Sequence, residues 1–526
     1  MNLNLRAIDG YVYGARQPTA ELQFSSTDSY PAHLVSGCAQ LVKDLIAQGD
    51  PGPDDMDGFD DSHMPALMCR ALDLLNRLSG DQRFTPITSL SRETYLLPTL
   101  SLGLTRQNLQ LMGQVLNKTR GTVTPDVLRD MVAHAKKVSF RYLPGGTNPS
   151  NFIAAAGAHK VPMKILSNGY LAFGYGSGSV IFDSSITDQE KSVGVGLARS
   201  KVDTNAFLKL SGFPVVEQQR ITTLDQALNF AESNDYPVVI KPENEEQGRG
   251  IYANITGADD LKHCFESASK TYKNLIIETH AAGDHYRIDF MGDQLIKAVR
   301  RRAPQAVGDG QSTIREIVDE MNRDPERLDD ASSLKPIAYD EDLKRCLKNQ
   351  GVSLKDVPDK GVSYYLKSIS NLSRGGSQVH VEDIVHPENY ALCQAVARSM
   401  RVDIAGVDLI SPDLAQPWYS NGAVICEVNA KPQLGRGRTE VYWQVLSRYL
   451  GPKAHVTLNV VTEDRQAEHF LYDTNNANLV LTLSAQHLLQ HGSPTQYFDR
   501  LTFADDVPAE DRSVLEAMLH SVPPEI

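Results

Sequence analysis

Long apolar runs are missing from this sequence. No stretch of about 18 consecutive apolar residues occurs, and the start MNLNLRAIDGYVYG has no basic segment leading into an apolar one, so neither a membrane-spanning helix nor a secretory signal is expected. Positive charge is also scarce: 52 Lys and Arg stand against 65 Asp and Glu, a net charge of -13. That balance argues against general affinity for nucleic acid or an anionic membrane, which draws on clustered cations to neutralise phosphates. The six cysteines (Cys38, Cys69, Cys264, Cys346, Cys393 and Cys426) lack paired short spacings, which excludes a zinc motif or a disulfide framework and fits a reducing compartment. Internal repeats, low-complexity tracts and a P-loop lysine motif are absent too. These absences predict a cytoplasmic protein that works on soluble metabolites.

What is present is ordinary globular material. With 526 residues and 41% hydrophobic content, the chain can bury a large core and is expected to divide into three or four domains or lobes. The acidic GDPGPDDMDGFDDSH reads as an exposed loop, because its spacing does not reproduce a calcium loop. Helical spacing marks MPALMCRALDLLNRLSG, and Thr124 and Pro125 start a second helix as cap and first-turn residue. YLAFGYGSGSVIFDSS alternates like a glycine-rich hairpin.

From about residue 194 helices and strands alternate. SKVDTNAFLKLSGFPV reads as a helix, YPVVIKP as a strand, and LIIE, RIDFMG and QLIKAVR as successive strands. PENYALCQAVARSM is a helix, and IAGVDLIS and AVICEVNA form a strand pair, which makes this an α+β arrangement of antiparallel strands. The last 65 or so residues, with the helix AEDRSVLEAMLHSV, read as a C-terminal extension.

Polar residues interrupt these strands at informative places. In VICEVNAKPQLG, Glu427 and Asn429 lie two apart and so share a face, while Asp408 breaks the apolar strand beside them. Carboxylate and amide oxygens suit hard Mg2+, with Mn2+ as an alternative. Taken singly, each reads more readily as a strand-end group satisfied by backbone, and only together with the residues upstream does the metal reading prevail. Lys241 closes the apolar YPVVI and can bring its ammonium to a phosphate, and QGRG supplies Gly248 and Gly250 for close backbone approach together with the charge of Arg249. Glu278 ends one strand and Arg287 lies in the next. Alternation sends Arg300 and Arg302 to one face and Arg301 to the other. By the same alternation Cys426 points away from Glu427, into core.

In order, the lysine before TNAFL, VVIKP, QGRG, IIE, GDHYR, VGDG, NLSRGGS, AGVDL and EVNAKP resemble the ATP-grasp ligase superfamily. The arrangement is similar to the ATP-grasp part of cyanophycin synthetases, over roughly residues 160 to 440, without the Mur-ligase-like half those proteins carry. The resemblance implies an ATP-grasp fold, with antiparallel sheets in two lobes clasping ATP and an α/β domain before it. The expected segments are 1–190 for substrate recognition or dimerisation, 191–460 for the ATP-grasp domain with a mobile lid at about 236–300, and 461–526 for the extension.

It also implies roles. Lys201 and Lys241 contact ATP phosphates, Gln247, Gly248, Arg249 and Gly250 close over them, and the backbone beside Glu278 receives adenine, with Asp284 reaching the ribose. Asp408, Glu427 and Asn429 hold magnesium. Arg287 and Arg302 neutralise the transferring phosphate or the substrate carboxylate, and Lys241 joins them as a catalytic residue. Arg374, Gly375, Gly376, Arg436 and Arg438 bind the amino-acid or peptide substrates.

Three positions depart from the family pattern. Asn205 replaces a common lysine, His285 stands where aspartate is usual, and KPQLG replaces the xPGL form where substrate approaches. The implied activity is ligation of a carboxylate to an amine through an acyl phosphate, by a homodimer that binds neither nucleic acid nor membrane. The alternatives are a peptide- or polymer-extending ligase and a catalytically silent nucleotide-binding subunit.

Overall fold

Val238–Pro242 is buried at every position, which a five-residue strand achieves only when both faces are covered. In the computed structural model, which describes residues 3–25, 30–48, 63–245, 248–328, 332–463 and 471–525, this strand lies inside a four-stranded antiparallel sheet. The acidic loop expected at 49–63 falls, except for His63, outside the described residues, as does Gln247. The chain forms two compact units, Gln189–Leu434 and Met1–Asp188 together with Gly435–Ile526.

In the first unit the four-stranded sheet runs Tyr252–Ile255, Val238–Pro242, Leu275–Thr279, Gln218–Ile221. Helices Leu224–Asn234 and Ala258–Ser269 supply Phe230, Leu261 and Phe265 to a core with Ile240 and Ile277. Thr223 starts the first helix with a reciprocal capping box to Gln226, the signature of a fixed N-terminus. The second sheet has five antiparallel strands in the order Ser377–His380, Gln294–Arg302, Asp284–Met291, Ile404–Ser411, Val424–Asn429. Helix Pro387–Ser399 covers one of its faces, where Tyr390 packs its ring on Phe290 at 5.2 Å. A small lobe adds the pair Gln305–Val307 and Ser363–Tyr365, built over Ile314, Val318, Leu343 and Leu366. The strands and helices expected from residue 194 onward are thus present as an antiparallel α+β unit.

The other unit departs from the expected segmentation. Strand His455–Val461 is the centre of a three-stranded parallel sheet flanked by Asn478–Ser484 and Arg500–Phe503. Its apolar face shares one core with Ile8, Val12, Leu96 and Tyr175. Residues 435–460 therefore leave the middle segment, and the last residues complete the N-terminal unit instead of standing as an extension. The rest of this unit holds an antiparallel sheet of Leu3–Ile8, Thr19–Phe24, Thr94–Pro98 and Thr88–Ser89 beside helices that include Met64–Leu78 and Leu102–Thr119. The glycine-rich hairpin pairs Leu171–Phe173 with Val180–Asp183. No helix among the described residues is long and apolar enough to cross a membrane.

A polar seam runs through this unit. Asn108 donates to Asn76 (2.9 Å) and Ser79 (3.1 Å), and the buried Asp81 accepts from Thr99 and from the Leu100 amide (2.8 Å). Burial pushes the Asp81 carboxyl up to about 7 against these hydrogen bonds. Its folded value lies above the unfolded one, so the penalty is absent below about pH 4 and grows as pH rises toward 7. The full rise corresponds to about 4 kcal/mol. Asp81→Asn should therefore flatten the pH dependence of this unit's denaturant stability between about pH 4 and pH 7. Parallel pH profiles for parent and variant would refute the assignment.

Candidate active site

One face of the five-stranded sheet carries a row of polar side chains. Residues paired across antiparallel strands point the same way. Arg287 is opposite Asp408, Asp408 is opposite Glu427, and Asn429 is opposite Gly406 two positions along. Arg287 Nε lies 3.1 Å from Asp408 Oδ1, and Arg301 NH1 lies 3.4 Å from the same oxygen. With its amide oxygen turned toward the guanidinium, Asn429 accepts from Arg287 at 2.7 and 3.2 Å. Burial alone would lower the Arg287 pKa, but Asp408, Asp289 and Glu427 outweigh it and hold the guanidinium firmly charged.

The four-stranded sheet brings a second charged group to the same place. Lys241 and Glu278, on neighbouring strands, form a buried ion pair at 2.7 Å, and Gln218 donates to the same Glu278 oxygen at 3.1 Å. Burial would depress the Lys241 ammonium. Glu278 first, then Cys426 and Glu427, reverse that and raise it above the usual lysine range. Lys201, in the first turn of helix Lys201–Leu210, donates to the Glu245 carbonyl at 2.7 Å and stands 3.9 Å from Glu427 Oε1. Seven residues named from the sequence (Lys201, Lys241, Glu278, Arg287, Asp408, Glu427 and Asn429) thus converge.

Others do not. Arg302 and Asp284 lie on the opposite face of the sheet, where Asp284 pairs with Arg300 at 3.3 Å. Asp284 lies three positions from Arg287 on one strand and so faces away by alternation, whereas for Arg302 the cause is a β-bulge. In the hairpin after Met291, Phe290 pairs with Leu295 but Asp289 pairs with Lys297, so Ile296 is an extra residue and every later side chain changes face. Arg301 therefore stands on the Asp408 side, where alternation from Arg287 also places His285. Burial lowers the His285 pKa, with Asp408 opposing and Arg301 reinforcing, which keeps the imidazole neutral at pH 7.

A second bulge corrects the reading of Cys426. Leu409 pairs with Ile425 while Asp408 pairs with Glu427, which leaves Cys426 as the extra residue on the strand. Its thiol is raised to about 12, by burial first and then by Glu278, Glu427 and Asp408 against Lys241, so it belongs to the charged cluster and stays protonated.

The loop glycines are conformationally required. Gly248 (φ +73°) and Gly250 (φ +68°) are left-handed, and a Cβ would come within 2.2 Å of Ile369 and 2.5 Å of Tyr272 respectively. Arg249 between them is exposed. Asn205 fills the lysine position by donating to the Val216 carbonyl at 3.0 Å.

The expected substrate loop is tied up internally. Arg374 binds Asp340 at 2.6 Å beside Lys367, and the amides of Arg374, Gly375 and Gly376 donate to Asn371, Leu372 and Asn371 carbonyls, each at 3.0 Å. Those donors are spent on the turn itself. Arg436 and Arg438 follow Leu434 and belong to the other unit.

Two buried residues on the site face were missed by the sequence reading. Asp289 pairs with Lys297 at 3.0 Å and with Arg287 at 3.5 Å, and Lys297 also donates to the Gln433 carbonyl. An acid and a lysine inside RIDFMGDQLIKAV were the available signal.

No protein-family model matches the chain. It is similar to cyanophycin synthetase of Trichormus variabilis, 33% identical over 292 residues, which is 55% of this chain and 32% of that protein. It is also similar to the glutathione biosynthesis bifunctional protein GshAB of Mannheimia succiniciproducens, 30% identical over 287 residues, 53% of this chain and 37% of that protein. The chain thus spans about a third of the length of the curated relatives it matches. Among solved structures, a bifunctional glutathione synthetase from Pasteurella multocida aligns over 82% of each chain at 17% identity and a TM-score of 0.44. Its lysine, glycine and carboxylate motifs lie in order on two antiparallel sheets, and its similarity to cyanophycin synthetase over more than half its length supports the resemblance to the ATP-grasp superfamily.

Proposed function

We propose that the protein is an ATP-dependent carboxylate–amine ligase that forms an amide bond between amino acids or peptides through an acyl phosphate, releasing ADP and phosphate. The observation that carries this reading is the same-face row of Arg287, Asp408, Glu427 and Asn429, with Arg301 beside Asp408 and the buried Lys241 behind Glu427. The names of the relatives, cyanophycin synthetase and a glutathione biosynthesis protein, support amino-acid or peptide substrates for this chain too.

The donor set fits a hard divalent cation. Asp408 Oδ1 is buried and accepts no hydrogen bond among the described residues, and Glu427 has a third of its side chain open. Asp408, Glu427 and Asn429 would hold Mg2+, with Mn2+ as the substitute, and the cation supplies charge neutralisation at the phosphate oxygens. Lys241 and Lys201 bind the phosphates, and the left-handed glycines 248 and 250 let backbone amides approach them. Arg287 and Arg301 stabilise charge developing on the transferred phosphoryl group, and their guanidiniums suit a planar array of oxygens. Cys426, held protonated, takes no nucleophilic part.

Purified protein given ATP, Mg2+ and a panel of amino acids should release ADP and phosphate when donor and acceptor are both present, with the amide identified by mass spectrometry. Release of AMP and pyrophosphate would mean adenylation and would overturn the acyl-phosphate route.

A further inference from the structure

Arg287 sits between two acids. Its Nε is 3.1 Å from Asp408 Oδ1 and 3.5 Å from Asp289 Oδ1, and its NH1 donates to the Gly406 carbonyl at 3.3 Å. Asp408 is thereby occupied by the cation it would have to release before binding a metal. A guanidinium left beside a metal-bound carboxylate would face a second cation at short range in a poorly solvated site, so it needs another partner.

Asp289 has the properties of that partner. It is 1% exposed, and neither carboxylate oxygen is hydrogen-bonded among the described residues. Lys297 stands 3.0 Å from Oδ2, which leaves Oδ1 facing Arg287. Lys297 is itself held by the Gln433 carbonyl, so the acid is anchored from the side away from the arginine. Space for the movement is kept by Gly406, the residue paired with Asp289. A Cβ there would lie 2.5 Å from Asp289 Oδ1 and 2.7 Å from Arg287 NH1.

We propose that Asp289 is a positioning residue, the second seat of the Arg287 guanidinium, taken up when a divalent cation claims Asp408. Metal entry and arginine placement are then one event. The cation displaces Arg287 from Asp408, and Asp289 keeps it within reach of the phosphoryl group instead of losing it to solvent. The inference rests on the ligase reading only in placing the cation at Asp408.

The test is Mn2+ binding, read by electron paramagnetic resonance in the presence of ADP, for the full-length protein and four variants. Asp289→Asn should weaken Mn2+ about 10- to 100-fold, the scale of losing a group that supports a metal ligand, because Arg287 then stays on Asp408. Arg287→Met removes the competitor that Asp289 would seat, while Arg301, 3.4 Å from the same Asp408 oxygen, is common to every variant, so the double variant should bind Mn2+ as Arg287→Met does. Gly406→Ala, which crowds both partners without changing charge, should weaken Mn2+ as Asp289→Asn does, and it decides the matter if Asp289→Asn fails to fold. Asp289→Asn binding like the parent, or losing the same factor with Arg287 absent, would overturn the proposal, the latter by reducing Asp289 to a bystander charge. A parent protein that binds no Mn2+ with ADP would overturn the ligase reading and this inference together.

Discussion

Glu427→Gln is expected to fold and melt as the parent does and to lose about 10²- to 10³-fold in Mg2+-dependent turnover, the scale of removing one charged contact to a transition state. The two side chains are nearly equal in size. Glu427 is about a third exposed, and its ion-pair partner, Lys201, is 3.9 Å away, so folding has little to lose. Catalysis has much to lose, because an amide oxygen brings no charge to a cation shared with Asp408 directly across the strand pair. Steady-state rates across a Mg2+ titration give the check. Turnover equal to the parent at saturating Mg2+ would leave Glu427 as an ordinary strand-end residue.

Lys241→Met should be the more damaging change to stability. It strips the partner from Glu278, which is buried and, among the described residues, keeps the Gln218 hydrogen bond, and breaking a buried pair from one side costs about 3–5 kcal/mol. A companion variant separates this cost from function. In Lys241→Met/Glu278→Gln no charge is stranded, and the amide that replaces the carboxylate can still accept a hydrogen bond from Gln218, so much of the lost melting temperature should return. Nucleotide affinity should not, because the phosphate contact is still missing. Melting curves and ATP titrations of both variants test this together, and normal ATP binding by the double variant would make Lys241 a structural lysine.

Much of this was legible in order along the chain. Each of the strands Leu275–Thr279, Asp284–Met291, Gln294–Arg302, Ile404–Ser411 and Val424–Asn429 answers to an apolar stretch read from the sequence, because burial on one or both faces writes its period into a strand. Glu427 and Asn429 share a face for the same local reason, and Asp408, Lys241 and Glu278 announce themselves as charges inside apolar runs. Segment boundaries were less legible. His455–Val461 looks like any other strand, and only its parallel partners after residue 470 reveal that it belongs with the N-terminal unit.

Local pattern was enough to say which polar residues lie on which strand and which neighbours along one strand look the same way, since both follow from a two-residue period. Which strands face the site, and with which side, was settled by long-range pairing alone. A single extra residue at Ile296 exchanged Arg302 for Arg301, and another at Cys426 broke the alternation that would have sent its thiol into the core. Neither bulge is marked by glycine or proline. Each arises from how a strand must bend to pair with its neighbours, and that demand is set by residues distant along the chain.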